Sequence, residues 1–388
     1  RLATRPVYDF LAYHAVAQQL ASGAGLSALE ALDGRPWGYP LLLGGLYRLL
    51  GVNLLWPQLL NVLFSALAII FLYHIVRRLA EPRLAVLAAL VYALFPSQVL
   101  MNNVVNSEVV FIGLALGGVY YSLRFLDTLA VGDLVATGAL LSLAHLVRPV
   151  GVLYLAVFLL VLLVQQGSRP LDYLKMAGVA LLSFYLVLAP LLVLKSVAYG
   201  RPVFWEGGTF GIVFLMGTNM YHQGFWNQDD YAYVQSLKQQ YGGDMGKVND
   251  AAFDAAWRRL RANFAQIREM MPAKAYKMWS IDTFAFDWAN RGGQDQWLVQ
   301  DADARRWYYG VSQAFWASLW LGLLGFLVAF PLHRHREVNY LLLLFLAFFG
   351  LHLLIEIQGR YHMHLAPLLI AVAAVGMGSL WALKEREG

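Results

Sequence analysis

Long runs of apolar residues, separated by short polar connections, dominate the pattern along this chain. A helix needs roughly 17–25 mostly apolar residues to cross a bilayer, and about nine runs reach or approach that length. They lie at residues 54–76, 84–101, 109–126, 134–147, 150–164, 176–197, 311–331, 340–355 and 365–383. Two of them are short and are divided by Arg148-Pro149, because proline interrupts a helix. The pattern predicts an all-α polytopic membrane protein with about nine visible transmembrane helices.

The polar connections between these runs alternate in charge along the chain, so those on one side of the membrane differ from those on the other. One set is short and mostly basic, and the positive-inside rule assigns such connections to the cytoplasm. Its members are residues 77–83, 124–127, 167–175, 333–337 and 384–388. Counting back from a cytoplasmic C-terminus places residue 1 outside, so we expect a tenth, N-terminal span to be missing before it.

The predicted topology divides the chain into four regions. These are a first external loop with juxtamembrane helices at 1–53, transmembrane helices at 54–197, an external loop region with helices at 198–308 and C-terminal transmembrane helices at 309–388. The two external regions are expected to lie on the same side of the membrane, because the basic connections occupy the other side.

The external regions carry helical patterns of their own. Asp9, Tyr13 and Ala17 recur at the spacing of one helix face. Residues 36–51 combine an apolar run with tryptophan, tyrosine and arginine, which is typical of an interfacial helix. A further helix is predicted over 249–271, from a capping asparagine to the proline that follows the segment.

Composition narrows the class of protein. Hydrophobic residues make up 59% of the 388 residues and charged residues only 14%, and the mean hydropathy of +0.54 exceeds that of a water-soluble domain. The absence of cysteine excludes disulfides, thiolate metal sites and cysteine nucleophiles. The net charge of +5 is spread along the chain, which favours contact with membrane lipids and no nucleic acid partner.

Ionisable residues near the hydrocarbon layer are costly, so each is a candidate functional residue. Those at the outer ends of the predicted elements are Asp9, Arg35, Glu108, Arg148, Arg360, His362 and His364. Arginine binds phosphate bidentately, and a carboxylate can accept the proton of an attacking hydroxyl. The sequence therefore predicts a cavity at the outer face, suited to group transfer from a phosphate-bearing donor.

The same residues have simpler structural explanations, which the sequence leaves open. Asp9 could cap the helix that follows it, and Glu108 could satisfy a helix dipole at the start of a span. Arg148 could anchor its helix by snorkelling. Residues 359–364 could form a headgroup belt, and their two histidines lack the spacing of a helical metal pair.

Six segments, in their order along the chain, resemble those of polytopic GT-C glycosyltransferases. They are YDFLAYHAVAQQLASG, GRPWGYPLLLGGLYRLLG, NSEVVF, GALLSLAHLVRPVG, YGRPVFWEGGTFGIVFLMGTN and GRYHMHLAPLL. The resemblance covers essentially the whole chain. It points to the branch that contains the protein O-mannosyltransferases and the lipid A aminoarabinose transferase.

The resemblance implies transfer of a sugar from a polyprenyl-phosphate carrier to an acceptor hydroxyl, with inversion at the anomeric carbon. It implies that Asp9 acts as, or helps to hold, the catalytic base, and that Glu108 is a second catalytic acid. Arg35 matches a basic residue implicated in binding the lipid phosphate, although Trp37 replaces the second proline of that motif. No cofactor is expected to be required and no metal site is assigned, while a divalent cation on the two carboxylates stays open.

Other residues complete the predicted site. Arg148 and Arg360 are expected to bind the donor phosphate together with Arg35, because they recur at the outer ends of separate elements. The predicted substrate pocket adds Tyr13, His14, Tyr39, Asn219, Tyr361 and His362.

The expected partners are a polyprenyl-phosphate sugar donor, membrane lipids and a glycan, lipid or protein acceptor. The expected location is a bacterial cytoplasmic membrane, with the active site on the external, periplasmic face of the cell envelope. Two alternatives come from other classes of protein. A polysaccharide polymerase or ligase would depend more on the arginines and histidines of 198–308, and a transporter or flippase of lipid-linked glycans would need charged or broken helices near mid-bilayer.

Overall fold

The structure is a computed structural model that describes residue 6 and residues 9–166, 169–290, 301–329 and 336–387. Within these ranges every regular element is a helix. In chain order they are α1 (Asp9–Ala21), the 3₁₀ helix η1 (Leu26–Leu32), α2 (Gly38–Leu50), α3 (Leu55–Leu79), α4 (Pro82–Ala93), α5 (Pro96–Met101), α6 (Glu108–Thr128), α7 (Val131–Val147), α8 (Gly151–Gln166), α9 (Pro170–Tyr199), α10 (Phe210–Gly217), α11 (Gln228–Gln240), α12 (Met245–Ala262), α13 (Phe264–Trp279), α14 (Phe284–Asn290), α15 (Ala302–Ala329), α16 (Arg336–Leu354), the 3₁₀ helix η2 (Gly359–His364) and α17 (Ala366–Glu387).

The apolar helices account for the predicted spans. Among the described residues, five helices are long and apolar enough to cross a membrane, namely α3, α6, α9, α15 and α16. Four shorter apolar helices, α4, α7, α8 and α17, correspond to the remaining predicted runs. The predicted all-α membrane fold is therefore confirmed. The segment 36–51, predicted to form an interfacial helix, is also helical as α2.

The predicted span over 84–101 is wrong as a single helix. It divides into α4 and α5 at Phe95-Pro96, where Phe95 is extended and Pro96 begins the new helix. Proline disfavours the helical conformation of the residue before it, and this explains the break. The short helix α5 then leads the chain toward Glu108.

The predicted helix over 249–271 also has different bounds. Helix α12 begins earlier, because the carboxylate of Asp244 caps it by accepting hydrogen bonds from the backbone of Gly246 and Lys247. Asn249 does not cap this helix, and its side-chain oxygen accepts a hydrogen bond from the backbone N–H of Gly211 at 2.7 Å.

The helix ends before the predicted proline. The side chain of Asn263 donates to the backbone carbonyl of Arg259 at 3.1 Å, and α12 stops at Ala262. Pro272 instead lies inside the next helix, α13. The predicted boundary at 308/309 similarly falls inside α15.

Helix α6 is the most enclosed of the five long apolar helices, and most of its residues are buried. It packs between α3 and α7. A methyl group on Gly113 would lie 2.7 Å from the backbone oxygen of Phe64, so only glycine permits this approach. This central position buries Glu108, the first residue of α6, at one end of the helix bundle.

A second, smaller core lies among helices α10, α11 and α12. We call these helices the external unit, after the external region that the sequence predicts for residues 198–308. Its buried apolar residues are Phe214, Leu215, Val234, Leu237, Val248, Ala252, Ala256 and Ile355. The ion pair between Asp230 and Arg259, at 2.7 Å, fixes α11 on α12. Because Ile355 belongs to this core, the external unit is joined to the segment between α16 and η2.

Candidate active site

A cavity of about 760 Å³ brings together residues from distant parts of the sequence. Asp9 begins α1, Arg35 lies between η1 and α2, and Glu108 begins α6. Arg148 follows the last residue of α7, and Arg360 lies in η2. All five predicted catalytic and phosphate-binding residues line this one cavity.

The five side chains form a continuous series of ion pairs. One oxygen of Asp9 pairs with Nη2 of Arg35 at 2.9 Å, and the other pairs with Nη2 of Arg360 at 3.0 Å. Oε1 of Glu108 lies 3.0 Å from Nη1 of Arg148 and 3.7 Å from Nε of Arg360. Arg360 therefore connects the two carboxylates, and we call this set the charge network.

Exposure differs along the charge network. The side chains of Arg35 and Asp9 retain 34% and 30% of their exposure, whereas those of Arg360 and Glu108 retain 7% and 2%. The second oxygen of Glu108 is buried and has no hydrogen-bond partner among the described residues. The α1 side of the network therefore faces an entering molecule, and the α6 side forms its floor.

The electrostatics keep Asp9 ionised. Burial acts to raise the pKa of this carboxyl, but the charges of Arg360 and Arg35 and their hydrogen bonds outweigh burial. The pKa of Asp9 consequently lies below its usual range. Both of its oxygens serve contacts that are distant in sequence, which is a different role from capping α1.

The side chain of Arg148 is held inside the cavity. Besides its pair with Glu108, Nη1 donates to the hydroxyl of Ser107 at 3.1 Å. The extended backbone of Arg148, which precedes Pro149, ends α7 and turns the side chain toward the start of α6. These contacts differ from those of an arginine that only anchors a helix in the headgroup region.

Two residues of the predicted substrate pocket, Tyr13 and Tyr361, line the cavity. Tyr39 does not line it, because the side chain is completely buried behind Tyr13, with the ring centroids 5.5 Å apart. His14 lies outside the lining as well, since its Nδ1 is hydrogen-bonded to the hydroxyl of Tyr47 at 2.8 Å.

The structure also places Asn219 and His362 away from the cavity lining. Asn219 donates to Asp230 at 2.9 Å inside the external unit. His362 is fully buried, and its ring nitrogens contact the backbone oxygen of Met278 at 2.7 Å and Asp282 at 2.8 Å. The prediction of substrate contact is therefore corrected for these residues, because their polar atoms are engaged in structural hydrogen bonds.

His364 does line the cavity, although it cannot supply positive charge there. Burial lowers the pKa of its imidazole well below the usual value, and nearby cations such as Arg148 add to the effect. The ring packs edge-on against Phe111 at 4.9 Å. A neutral imidazole adds no charge to the cavity, but it keeps one N–H donor, and neither ring nitrogen of His364 has a hydrogen-bond partner among the described residues.

The sequence argument missed Glu356, Gln358 and Lys274. Glu356 and Gln358 line the cavity between α16 and the arginine of η2. Lys274 is completely buried behind them, and burial lowers its pKa to about 7. Glu356 directly follows a predicted span. The rule that selected the other ionisable residues at the outer ends of the spans could therefore have identified it as a candidate.

The chemistry of the cavity is that of an anion site. Three guanidinium groups of the charge network face two carboxylates. In the described part of the chain, no cluster of three or more histidine, aspartate or glutamate side chains has an arrangement that could hold a metal ion. The fold and the cavity thus define a helical membrane protein with a large, arginine-rich binding site.

Comparisons with known proteins give this class a more specific description. Residues 34–193 match the family model described as dolichyl-phosphate-mannose-protein mannosyltransferase. The chain is similar to the crystal structure of ArnT from Cupriavidus metallidurans bound to undecaprenyl phosphate, with 16% identity, a TM-score of 0.47 and coverage of 98% of this chain and 74% of that chain. For the apo state of the same protein the identity is 16%, the TM-score 0.41, and the coverage 97% and 73%.

No curated protein sequence matches this chain significantly. The family match agrees, over residues 34–193, with the resemblance read from the sequence, and the matched residues contain Arg35, Glu108 and Arg148.

Proposed function

We propose that this protein transfers a sugar from a polyprenyl-phosphate-linked donor to an acceptor hydroxyl at the outer face of a bacterial cytoplasmic membrane. The observation that carries the proposal is the convergence of three arginines and two carboxylates, from five separate elements, in one cavity. The description of the matched family, which names a dolichyl-phosphate sugar donor, supports the same chemistry.

The charge of the network suits a phosphodiester. Within these five residues, three guanidinium groups outnumber two carboxylates by one positive charge. A lipid phosphate esterified to a sugar carries one negative charge and would balance it. Arginine is suited to this task because its planar donors match phosphate oxygens in pairs.

The apolar part of the lining suits the lipid. Pro149, Val150, Leu153, Phe348 and Leu351 line the cavity from α8, its preceding turn and α16. A polyprenyl chain placed against these residues would leave its phosphate beside the arginines. The donor would therefore enter from the membrane, with the sugar in the polar part of the cavity.

In the proposed reaction, the acceptor oxygen attacks the anomeric carbon from the face opposite the phosphate. The bond between that carbon and the phosphate oxygen breaks, and its electron pair stays on the phosphate. The arginines stabilise the charge that develops there, which is electrostatic catalysis by preorganised groups. A carboxylate orients the acceptor hydroxyl and removes its proton, and attack from the opposite face inverts the anomeric carbon.

Arg35→Ala tests the phosphate site, because Arg35 is the most exposed arginine of the charge network. Loss of a charge-assisted contact to phosphate should raise the Kd for undecaprenyl phosphate in nanodiscs by about tenfold or more. Arg77→Ala is the matched control, since Arg77 is exposed in the last turn of α3 and is predicted to face the cytoplasm.

Equal weakening by the two substitutions would contradict the phosphate site and favour a general role in membrane anchoring. Binding of the donor without transfer to any hydroxyl acceptor would instead favour a flippase.

A further inference from the structure

The proposed function requires a group that removes the acceptor's proton, and two carboxylates of the cavity are poorly suited to it. Both oxygens of Asp9 accept hydrogen bonds from arginines, which lowers its basicity. Glu108 is buried, and one of its oxygens contacts both Arg148 and Arg360. Two further carboxylates line the same cavity, that of Asp33, which pairs with Nζ of Lys238 at 2.5 Å, and that of Glu356.

The surroundings of Glu356 differ from those of the other three carboxylates, each of which forms an ion pair. Its Oε1 accepts a hydrogen bond from Nε2 of Gln358 at 2.6 Å, and Gln358 also lines the cavity. Among the described residues, Glu356 forms no ion pair with a lysine, arginine or histidine, although Asp9 and Glu108 each pair with two arginines. The Glu356 carboxylate therefore lacks a direct ion pair, which is the interaction that most strongly lowers the basicity of a carboxylate.

The backbone around Glu356 is held from several directions. The N–H of Glu356 donates to the carbonyl of Val213 at 2.6 Å. The N–H of Ile357 donates to the carbonyl of Gly224 at 3.0 Å, and Nζ of Lys274 donates to the carbonyl of Ile355 at 2.7 Å. The carboxylate is thus presented to the cavity by a fixed segment, as a group that acts on a substrate needs to be.

Several titratable or charged groups face Glu356 from the surrounding elements. They are Arg360 and Tyr361 of η2, Asp9 of α1 and Lys274 of α13, and His352 of α16 lines the same cavity. Burial raises the pKa of Glu356, while Gln358, Arg360 and Lys274 act to lower it and Asp9 adds to the rise. The net result is a pKa above the usual range for glutamate.

We propose that Glu356 accepts the proton of the acceptor hydroxyl, while Asp9 orients that hydroxyl and holds the arginines. The inference rests on the proposed function. As the bond from the acceptor oxygen to the anomeric carbon forms, the proton moves to the Glu356 carboxylate. The electron pair of the broken carbon–oxygen bond stays on the phosphate, which the arginines stabilise.

A proton on Glu356 and a phosphate on the arginines favour each other. A bound phosphate adds negative charge and raises the pKa of a nearby carboxyl further. Binding of the product, a lipid phosphate without its sugar, should therefore be accompanied by proton uptake on Glu356. As the pH rises through the range in which Glu356 loses its proton, the affinity of wild type for the lipid phosphate should fall. Above that range the ligand must either bring a proton to Glu356 or lie beside a second negative charge.

The test compares wild type, Glu356→Gln and Asp9→Asn in their binding of undecaprenyl phosphate, in nanodiscs, from pH 5 to pH 8. Glutamine resembles the protonated carboxyl. We expect the affinities of wild type and Glu356→Gln to converge as the pH falls toward 5, and Glu356→Gln to bind roughly tenfold more tightly at pH 8, as a shift of one pKa unit gives. At each pH, the ratio of the two Kd values cancels the effect of the ligand's own phosphate ionisation, because both proteins bind the same ligand.

Asp9→Asn is the matched control for charge. Since the pKa of Asp9 already lies below its usual range, any change in affinity should be the same at each pH. A ratio of wild type to Glu356→Gln that does not vary with pH would overturn the proposal, and so would a pH-dependent ratio found only for Asp9→Asn.

A kinetic measurement checks the proton transfer itself. With a lipid-phosphate sugar that wild type uses, Glu356→Gln should lower kcat by about a hundredfold, the ordinary contribution of a general base. The activity of wild type should rise with pH, because only the ionised Glu356 can accept a proton. This rise should persist in the residual activity of Asp9→Asn and disappear in Glu356→Gln. Persistence of that rise in Glu356→Gln would assign the proton to another group.

A milder variant guards against misfolding of Glu356→Gln. Gln358→Ala keeps the carboxylate but removes a hydrogen bond that lowers its pKa. The range of proton uptake should therefore move to higher pH, and an unchanged range would contradict the proposal. If wild type itself does not bind undecaprenyl phosphate, the proposed function fails, and this outcome is distinct from binding without the predicted dependence on pH.

Discussion

At the scale of residues, the charge network explains why isolated acids and arginines occur in such an apolar chain. Each carboxylate compensates arginines that would otherwise face one another in a partly buried cavity, where uncompensated charge is costly. Arg360 is nearly buried and touches both Asp9 and Glu108. The network is therefore formed before any donor arrives, and a phosphate can use arginines that are already in position.

Asp9→Asn tests the contribution of negative charge on the α1 side of the network. Asparagine keeps the shape and one acceptor oxygen but loses the charge that orients Arg35 and Arg360. We expect the transfer rate to fall by roughly a hundredfold or more without weaker donor binding. Transfer rate and donor Kd should be measured on the same nanodisc preparation.

Asp303→Asn is the control for this substitution, because Asp303 is an exposed acid at the start of α15. An active Asp9→Asn enzyme would indicate that Asp9 serves as a helix cap, a task that asparagine performs equally well. The proposed role of Asp9 in orienting the acceptor hydroxyl would then move to Glu108.

At the scale of elements, the distance between α2 and α7 is set by a glycine. A methyl group on Gly38 would lie 2.3 Å from the backbone oxygen of Leu146. Arg35 lies shortly before α2, and Arg148 directly follows α7. This close crossing therefore brings together two arginines of the charge network that the sequence separates widely.

Gly38→Ala should force the two helices apart, because the obstructing atoms belong to the backbone and cannot rotate away. Overpacking of this kind costs about 1–3 kcal/mol of stability. We expect a lower thermal unfolding temperature in detergent and a higher Kd for undecaprenyl phosphate.

Gly45→Ala provides the control within the same helix. A methyl group at Gly45 meets no atom within 4 Å, and alanine favours helix more than glycine does. This variant should be as stable as wild type or slightly more stable. A similar loss for both variants would show that the crossing at Gly38 has no special role.

At the scale of the whole molecule, the external unit and the apolar helices share one cavity. Val213 and Asn249 of the external unit line it, together with residues of α8 and α16. A donor held by its lipid in the membrane and an acceptor arriving from the aqueous side could then meet at the charge network. The predicted topology requires the external unit to lie outside, opposite the basic connections.

Single cysteines test this topology without interference, because the chain has none of its own. Gln240→Cys lies at the exposed end of α11, and Glu81→Cys lies in a connection predicted to be cytoplasmic. An impermeant thiol reagent applied to intact cells should label the first and not the second. The reverse pattern would overturn the orientation of the protein.

The sequence by itself determined the class of fold and most of the charged site. Apolar runs long enough to span a bilayer are local properties, so they could be read without tertiary contacts. Asp9, Arg35, Glu108, Arg148 and Arg360 could be selected because charge near hydrocarbon is expensive and rare. The break before Pro96 could also have been read locally, from the restriction that proline places on the preceding residue.

Only the tertiary structure decided which polar residues share the cavity. His14, Tyr39, Asn219 and His362 have side chains suited to substrate binding, yet their positions in the fold bury them or engage them with other residues. Tertiary packing has the opposite result for Glu356. Backbone hydrogen bonds to segments more than 100 residues away in sequence hold this residue at the cavity. Such choices depend on long-range packing, and no local pattern along the chain encodes the distance between two side chains.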